Sequence, residues 1–278
     1  MKREASSSLA FVSRLRPIKP YLNHEHPLRF AHRGSRVLWP QNTMMAFQGA
    51  VDLGYRYVET DVHLSRDGRV IVFHDDDLDR LTDGIGMVWD HDWADLRRLD
   101  AARAFGRRLG YPFRGTGVGI PSLEEVLTTF PDLQVNIDLK QTGMEQALAD
   151  EVERLGARDR VLIGAFFDDR IAEFRRITAG RVATSAGPME TRAAFVAALR
   201  GRRIETEADA FQVPTRKGAT RVPSRRFIEA VHAADRQIHV WTVNTSARMR
   251  RLLDAGVDGI VTDRPDVLNE VVAGRSPR

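Results

Sequence analysis

A chain of 278 residues, 42% hydrophobic and 29% charged, has the composition of a soluble globular protein and the length of one large α/β barrel or two ordinary domains. It holds no cysteine, so disulfides and thiolate metal sites are excluded and any metal must use oxygen or imidazole ligands. The net charge of +4 comes from arginines spread along the chain among acids, with no basic block or nucleic-acid motif, so the charge points to anionic small molecules and not to nucleic acid.

No apolar run approaches the ~18–20 residues that span a bilayer. The patch at 9–12 is shorter than the ~7–15-residue core of a signal peptide, and the expected location is the cytoplasm. Residues 1–27 mix basic, serine and proline positions without periodicity and read as an N-terminal arm, strapped on or frayed, ahead of a domain at 28–274. Contact of that arm with a membrane is left open.

The first strand, 28–31, ends in His32-Arg33-Gly34, which places an imidazole and a guanidinium at its C-terminal rim. Taken alone, the same residues also fit a polar strand-ending turn. Asn42 or Thr43 can cap the amphipathic run 44–53, which Gly54 ends. The apolar run 55–58 then delivers Glu59 and Asp61. Side chains two apart leave a strand on one face, so the two carboxylates converge and suit a hard divalent cation. Two solvated acids on a surface strand are the plainer alternative.

Asp67-Gly68 marks a turn, and the run 69–73 brings His74 and Asp75 beside the carboxylates. The link 63–68 is too short for a crossover helix, so a parallel pairing of these two runs would be irregular. Residues 76–120, rich in Asp, Arg and Gly, read as an excursion over one mouth of a barrel, with one short helix near 93–99. Ser122 is placed to cap the next helix. In the strand at 135–140, Asn136, Asp138 and Lys140 share a face, where Asp138 can join the metal's ligands and Lys140 can neutralise a phosphate.

Regular β-then-α units follow, with strands at 161–166, 181–186, 210–214, 238–243 and 259–262. Trp241 either walls a pocket or fills the barrel core, and Asp258 and Asp263 read as acids that order turns. Nine strand candidates for an eight-strand closure leave one outside the barrel. The expected fold is a single distorted (β/α)8 TIM-type barrel.

These motifs, H-R-G at 32–34, Q-N-T at 41–43, E-T-D-V at 59–62, D-G-R-V-I-V-F-H-D at 67–75, N-I-D-L-K at 136–140, V-W-T-V-N at 240–244 and G-V-D-G-I-V-T-D-R-P at 256–265, stand in one order over about 28–270. Together they resemble the glycerophosphodiester phosphodiesterase family. The resemblance implies a distorted TIM barrel that uses one divalent cation to cleave glycerophosphodiesters into an alcohol and glycerol 3-phosphate. It makes His32 and His74 the general acid/base pair and Glu59, Asp61 and Asp138 the ligands of Mg²⁺ or Ca²⁺. Arg33 and Lys140 grip the phosphate, with Trp241 in the substrate pocket. Two positions depart from the family's pattern: Gln41 stands where a Glu is usual, and Asp138 is shorter than the usual third Glu. The same site with a greasier entrance would serve as a lysophospholipase D. A non-catalytic phosphate-binding barrel would carry a damaged set, whereas all seven polar groups are present here.

Overall fold

Short apolar runs alternate with amphipathic segments, and the computed structural model, which describes residues 18–275, folds them in that order. Strand β1 (Leu28–His32) leads to helix α1 (Met44–Asp52), then to β2 (Tyr57–Leu64), β3 (Val70–Val72), α2 (Trp93–Leu96) and α3 (Leu123–Thr129). Three units follow: β4 (Gln134–Leu139) with α4 (Glu145–Arg154), β5 (Val161–Gly164) with α5 (Asp168–Ile177), and β6 (Ala183–Thr184) with α6 (Pro188–Leu199). Strand β7 (Ala210–Pro214) runs into the hairpin β8 (Arg216–Lys217) and β9 (Thr220–Arg221) and then α7 (Arg225–His232). The chain ends in β10 (Gln237–Trp241), α8 (Ser246–Asp254), β11 (Gly259–Thr262) and α9 (Pro265–Ala273). The sequence reading had no counterpart for α9 or for the β8–β9 hairpin.

Eight strands run parallel in the order β6-β5-β4-β2-β1-β11-β10-β7. A lone bridge from Ser185, just past β6, to Ala210 on β7 closes the ring. The surplus strand is β3. It pairs antiparallel with the far end of β2, Val62 opposite Val72 and Leu64 opposite Val70. Five linking residues cannot make a crossover, so the chain turns straight back, fastened by Ser65 N–H donating to the Arg69 carbonyl at 2.9 Å. β2 therefore overshoots the barrel rim, and β3 returns the chain to it. Residues 76–120 pack on that hairpin through Leu78, Val88, Leu96 and Ile120 against Ile71 and Phe73.

Helix starts follow local chemistry. The Thr43 hydroxyl accepts from Ala46 N–H at 3.2 Å, and Ser122 and Glu125 form a reciprocal capping box. The helices bury their apolar faces in two outer cores, one around β2, β4 and β5 with α1 and α3 to α5, the other around β7, β10 and β11 with α6 to α9. A third core fills the barrel floor: Tyr21, Leu22, Phe30, Tyr57, Leu162 and Val261. Tyr21 and Leu22 come from the N-terminal arm, whose residues 1–17 lie outside the described chain. Residues 18–27 form a plug, since Tyr57 Oη donates to the Tyr21 carbonyl at 2.6 Å and Gln237 Nε2 to the Leu22 carbonyl at 2.9 Å.

Gly259 leaves room for this floor. A Cβ there would lie 2.8 Å from Phe30 Cε2 and 2.9 Å from His239 Cδ2. Gly259→Val should overpack the floor at a cost of about 1–3 kcal/mol, read in a melting curve as a fall of roughly 2–4 °C per kcal/mol. An unchanged melting temperature would contradict the packing described here.

Candidate active site

The parallel register brings the polar ends of four strands together. His32 aligns with Glu59, Glu59 with Asn136, and Asp61 with Asp138. The turn after β1 holds unusual backbone: Arg33, Ser35 and Asn42 all take positive φ, at 54°, 106° and 55°. Such conformations persist only where surrounding bonds enforce them. Here Arg33 N–H donates to the Glu59 carbonyl at 2.8 Å and Asn42 N–H to the Arg33 carbonyl at 3.0 Å. Gly34, at φ 77°, has no room for a side chain, because a Cβ would sit 2.6 Å from Ala46 Cβ. The turn is thereby pressed onto α1.

Three carboxylates and two cations occupy the mouth. The Lys140 ammonium lies 2.9 Å from Asp61 Oδ1 and 2.6 Å from Asp138 Oδ2. Arg33 Nε lies 3.1 Å from Asp61 Oδ2, an ion pair without hydrogen-bond alignment, while its Nη1 donates to Gln41 Oε1 at 2.8 Å. Asn42 Nδ2 donates to Asp61 Oδ2 at 3.0 Å and Thr60 Oγ1 donates to Asn42 Oδ1 at 2.8 Å, so a buried amide orients that carboxylate.

Burial works against ionising Asp61, but Lys140 and Arg33 outweigh it and hold the carboxyl down at about 2. Glu59 is the opposite case. Burial and the neighbouring Asp61 push it well above the usual carboxylate range, and its Oε2 has no hydrogen-bond partner. Asp138 is also raised, by burial first, against the pull of Lys140. Among the described residues no three His, Asp or Glu side chains form a ready metal cage; the Lys140 ammonium stands between two of the acids. The donor chemistry nonetheless suits a hard cation, since one buried carboxylate oxygen is left without a counterpart.

Two histidines flank this cluster, each held by an acid. His32 Nδ1 donates to Asp263 Oδ1 at 2.6 Å, and its Nε2 lies 3.6 Å from Glu59 Oε2. Asp263 is itself fixed by Asn244 Nδ2 at 2.7 Å and by Arg36 Nε at 3.0 Å. Burial lowers His32 below the ordinary imidazole value, with the Asp263 hydrogen bond opposing the shift. Asp263, although buried, is held down at about 2 by His32 and its other partners, so it is the acceptor and His32 Nδ1 the donor. His74 Nδ1 donates to Asp75 Oδ1 at 2.5 Å, and Arg80 grips Asp75 with two bonds of 2.7 and 2.8 Å.

His32, Arg33, Glu59, Asp61, His74, Asp138 and Lys140 thus meet in one place. Trp241 is half-buried and packs edge-on to Phe166 at 5.7 Å between centroids, and Phe166 in turn lies 5.4 Å from the Lys140 ammonium. The reading of Asp263 as a turn residue needs correction, because its side chain orients His32. Asp258 does order its turn, accepting from His232 and from Ile238 N–H. Asn42 bridges Asp61 and leaves the helix cap to Thr43. Asp75, Asn244 and Phe166 had no assigned role. For Asp75 a signal existed, since an acid directly after a histidine can reach its Nδ1. For Asp263 none did, as its partner lies 231 residues away.

Asp263→Asn should lower kcat by roughly 10²–10⁴-fold while the fold holds. It should also shift the ascending limb of the pH–rate profile to lower pH, because Asp263 supports the His32 proton. An unmoved limb would show that Asp263 has no hold on His32. Glu59→Gln tests the buried acid by stability. An acid whose folded pKa is raised weakens the fold above its unfolded pKa of ~4.3. In metal-free buffer the Gln variant should therefore gain stability at pH 7, and the gain should shrink by pH 4, as read by urea unfolding.

Residues 32–267 match the glycerophosphoryl diester phosphodiesterase family. A probable glycerophosphodiester phosphodiesterase 2 of Mycobacterium tuberculosis is 38% identical over 268 residues, covering 93% of this chain and 96% of the relative. A glycerophosphodiester phosphodiesterase of Bacillus altitudinis is 34% identical, covering 85% of this chain and 94% of its own. Among solved structures, a glycerophosphodiester phosphodiesterase from Agrobacterium tumefaciens superposes with a TM-score of 0.71 at 26% identity, over 87% of this chain and 98% of that one. A phosphodiesterase from Oleispira antarctica, in complex with its product sn-glycerol-3-phosphate, shares the fold with a TM-score of 0.72 at 22% identity, over 90% of this chain and 98% of its own. The chain belongs to the glycerophosphoryl diester phosphodiesterase family and is a phosphodiesterase.

Proposed function

We propose that the protein hydrolyses glycerophosphodiesters to an alcohol and sn-glycerol 3-phosphate, with His32 and His74 as its proton-transfer pair. The observation that carries this reading is the matched pair of dyads, His32 with Asp263 and His74 with Asp75, on either side of the carboxylate cluster. In each, a carboxylate takes Nδ1–H and leaves Nε2 for the substrate, the arrangement in which an imidazole transfers protons.

A divalent cation, Mg²⁺ or Ca²⁺, would be held by Glu59, Asp61 and Asp138 and would supply charge neutralisation at the phosphoryl oxygens. The buried, unpartnered Glu59 oxygen supports that set. Arg33 and Lys140 face the same acids and would take the substrate's phosphoryl oxygens by charge-assisted hydrogen bonds. His32, kept neutral by burial, would accept the proton of the attacking hydroxyl at Nε2. That hydroxyl is the glycerol oxygen neighbouring the phosphate, and the resulting cyclic phosphate is later opened by water. His74, backed by Asp75 and Arg80, would give a proton to the departing alkoxide. Gln41, bound to Arg33, replaces a charged partner with a neutral one and leaves the guanidinium less neutralised for the phosphate.

Lysophospholipids form a second substrate class, favoured by the exposed Phe166 beside Trp241 at the mouth. The test is release of glycerol 3-phosphate from glycerophosphocholine and glycerophosphoethanolamine, and of lysophosphatidate from a lysophospholipid, with EDTA, Mg²⁺ or Ca²⁺. Release should need the metal and fall by roughly 10²–10⁴-fold in His32→Ala. The pH profile should be bell-shaped with its ascending limb below ~6.5. Full activity in EDTA, or in His32→Ala, would refute the assignment.

A further inference from the structure

Around the mouth, the half of the rim formed by the loops after β5, β6 and β7 differs from the rest of the surface. Phe166 and Phe167 follow β5 and are 55% and 56% exposed, and Met189 at the start of α6 is 63% exposed. These lie close together, because the Asp168 carboxylate accepts from Met189 N–H at 3.0 Å. The next loop round the ring is the β8–β9 hairpin, all of whose strand residues are exposed. It sets Arg216 directly across from Arg221, with Lys217 beside them.

Like charges facing each other across two strands repel, and nothing within the chain offsets this pair. Among the described residues Arg216, Lys217 and Arg221 form no ion pair, whereas exposed arginines elsewhere do: Arg66 with Asp92, Arg158 with Glu153, Arg176 with Glu173 and Arg225 with Glu229. The hairpin is a concentrated positive charge that only an external anion can neutralise. Its neighbours are large apolar side chains held out of the core, one of them capped by a cation, since the Arg170 guanidinium lies 4.4 Å over the Phe167 ring.

We propose that this half-rim docks on an anionic lipid bilayer, the hairpin at the headgroups and Phe166, Phe167 and Met189 in the interfacial layer, so that the catalytic mouth faces the membrane. Aromatic rings flanked by basic side chains are the combination that favours such an interface. A soluble anion would be served by the hairpin alone and would leave the apolar trio unexplained. Among the described residues no helix is long and apolar enough to cross a membrane, so the binding is peripheral and reversible, and it weakens with salt.

The inference is independent of which diester is cleaved, and its test reads binding without turnover. The full chain is sedimented with vesicles of phosphatidylcholine alone or with 30% (about one lipid in three) phosphatidylserine, at low and high salt. Binding should need the anionic lipid and fade with salt. The triple variant Arg216→Gln, Lys217→Gln, Arg221→Gln should lose roughly a hundred-fold in partitioning, each surface cation adding about five-fold. Phe167→Ser with Met189→Ser should weaken binding further at constant charge. Melting temperatures monitor folding, which these exposed positions should leave unchanged. Absence of binding to anionic vesicles would overturn the proposal, as would a folded triple variant that binds like the native chain. Oligonucleotide binding as tight as vesicle binding, and indifferent to Phe167→Ser and Met189→Ser, would reassign the surface to nucleic acid.

Discussion

The structure around the barrel mouth depends on burying three carboxylates, Glu59, Asp61 and Asp138, within reach of only two cations, Arg33 and Lys140. An unpaired buried charge costs far more than a neutral polar group. That constraint accounts for much of the local architecture. It explains why Arg33 is held in a left-handed conformation so that its guanidinium reaches Asp61, why Asn42 is turned inward, and why Glu59 is pushed toward its protonated form. The imbalance is one negative charge, and it lies where a phosphodiester and its cation would meet. A site neutral by itself would be more stable and less able to recruit a cation.

Much of this was legible because the catalytic strands carry local patterns. Glu59 and Asp61 share a face by the two-residue period, and Asp138 and Lys140 repeat that period on the next strand. The ring of eight strands was legible in the regular β–α spacing, and the ninth run was recognisable as surplus from its short link. Its antiparallel return follows from the link's length, yet only the fold shows that it carries His74 back to the rim. What the sequence could not carry were pairings across the whole chain, such as His32 with Asp263 and Tyr57 with Tyr21, which parallel register and barrel closure create. The Asn42 side chain was missed for a different reason: an asparagine ahead of a helix fits a cap, and nothing local distinguishes a cap from a carboxylate clamp.

The plug formed by Tyr21 and Leu22 shows how the two ends of the barrel divide their work. The floor is apolar and filled, so it contributes stability, whereas the rim holds buried charge and positive-φ backbone and contributes chemistry. Neither end can take over the other's composition without loss.

The ring closes between β6 and β7 through a single bridge, and β6 has only two residues. The barrel is in effect a curled sheet whose two edges touch. Counting round the ring, the place diametrically opposite that seam is the β1–β2 contact, where His32 stands beside Glu59. The two outer cores meet at the same two places, one on each side. A breathing motion that parts the edges would therefore hinge about the catalytic strands. It would let the entrance accommodate ligands of different girth while the proton-transfer groups and their acids keep their spacing.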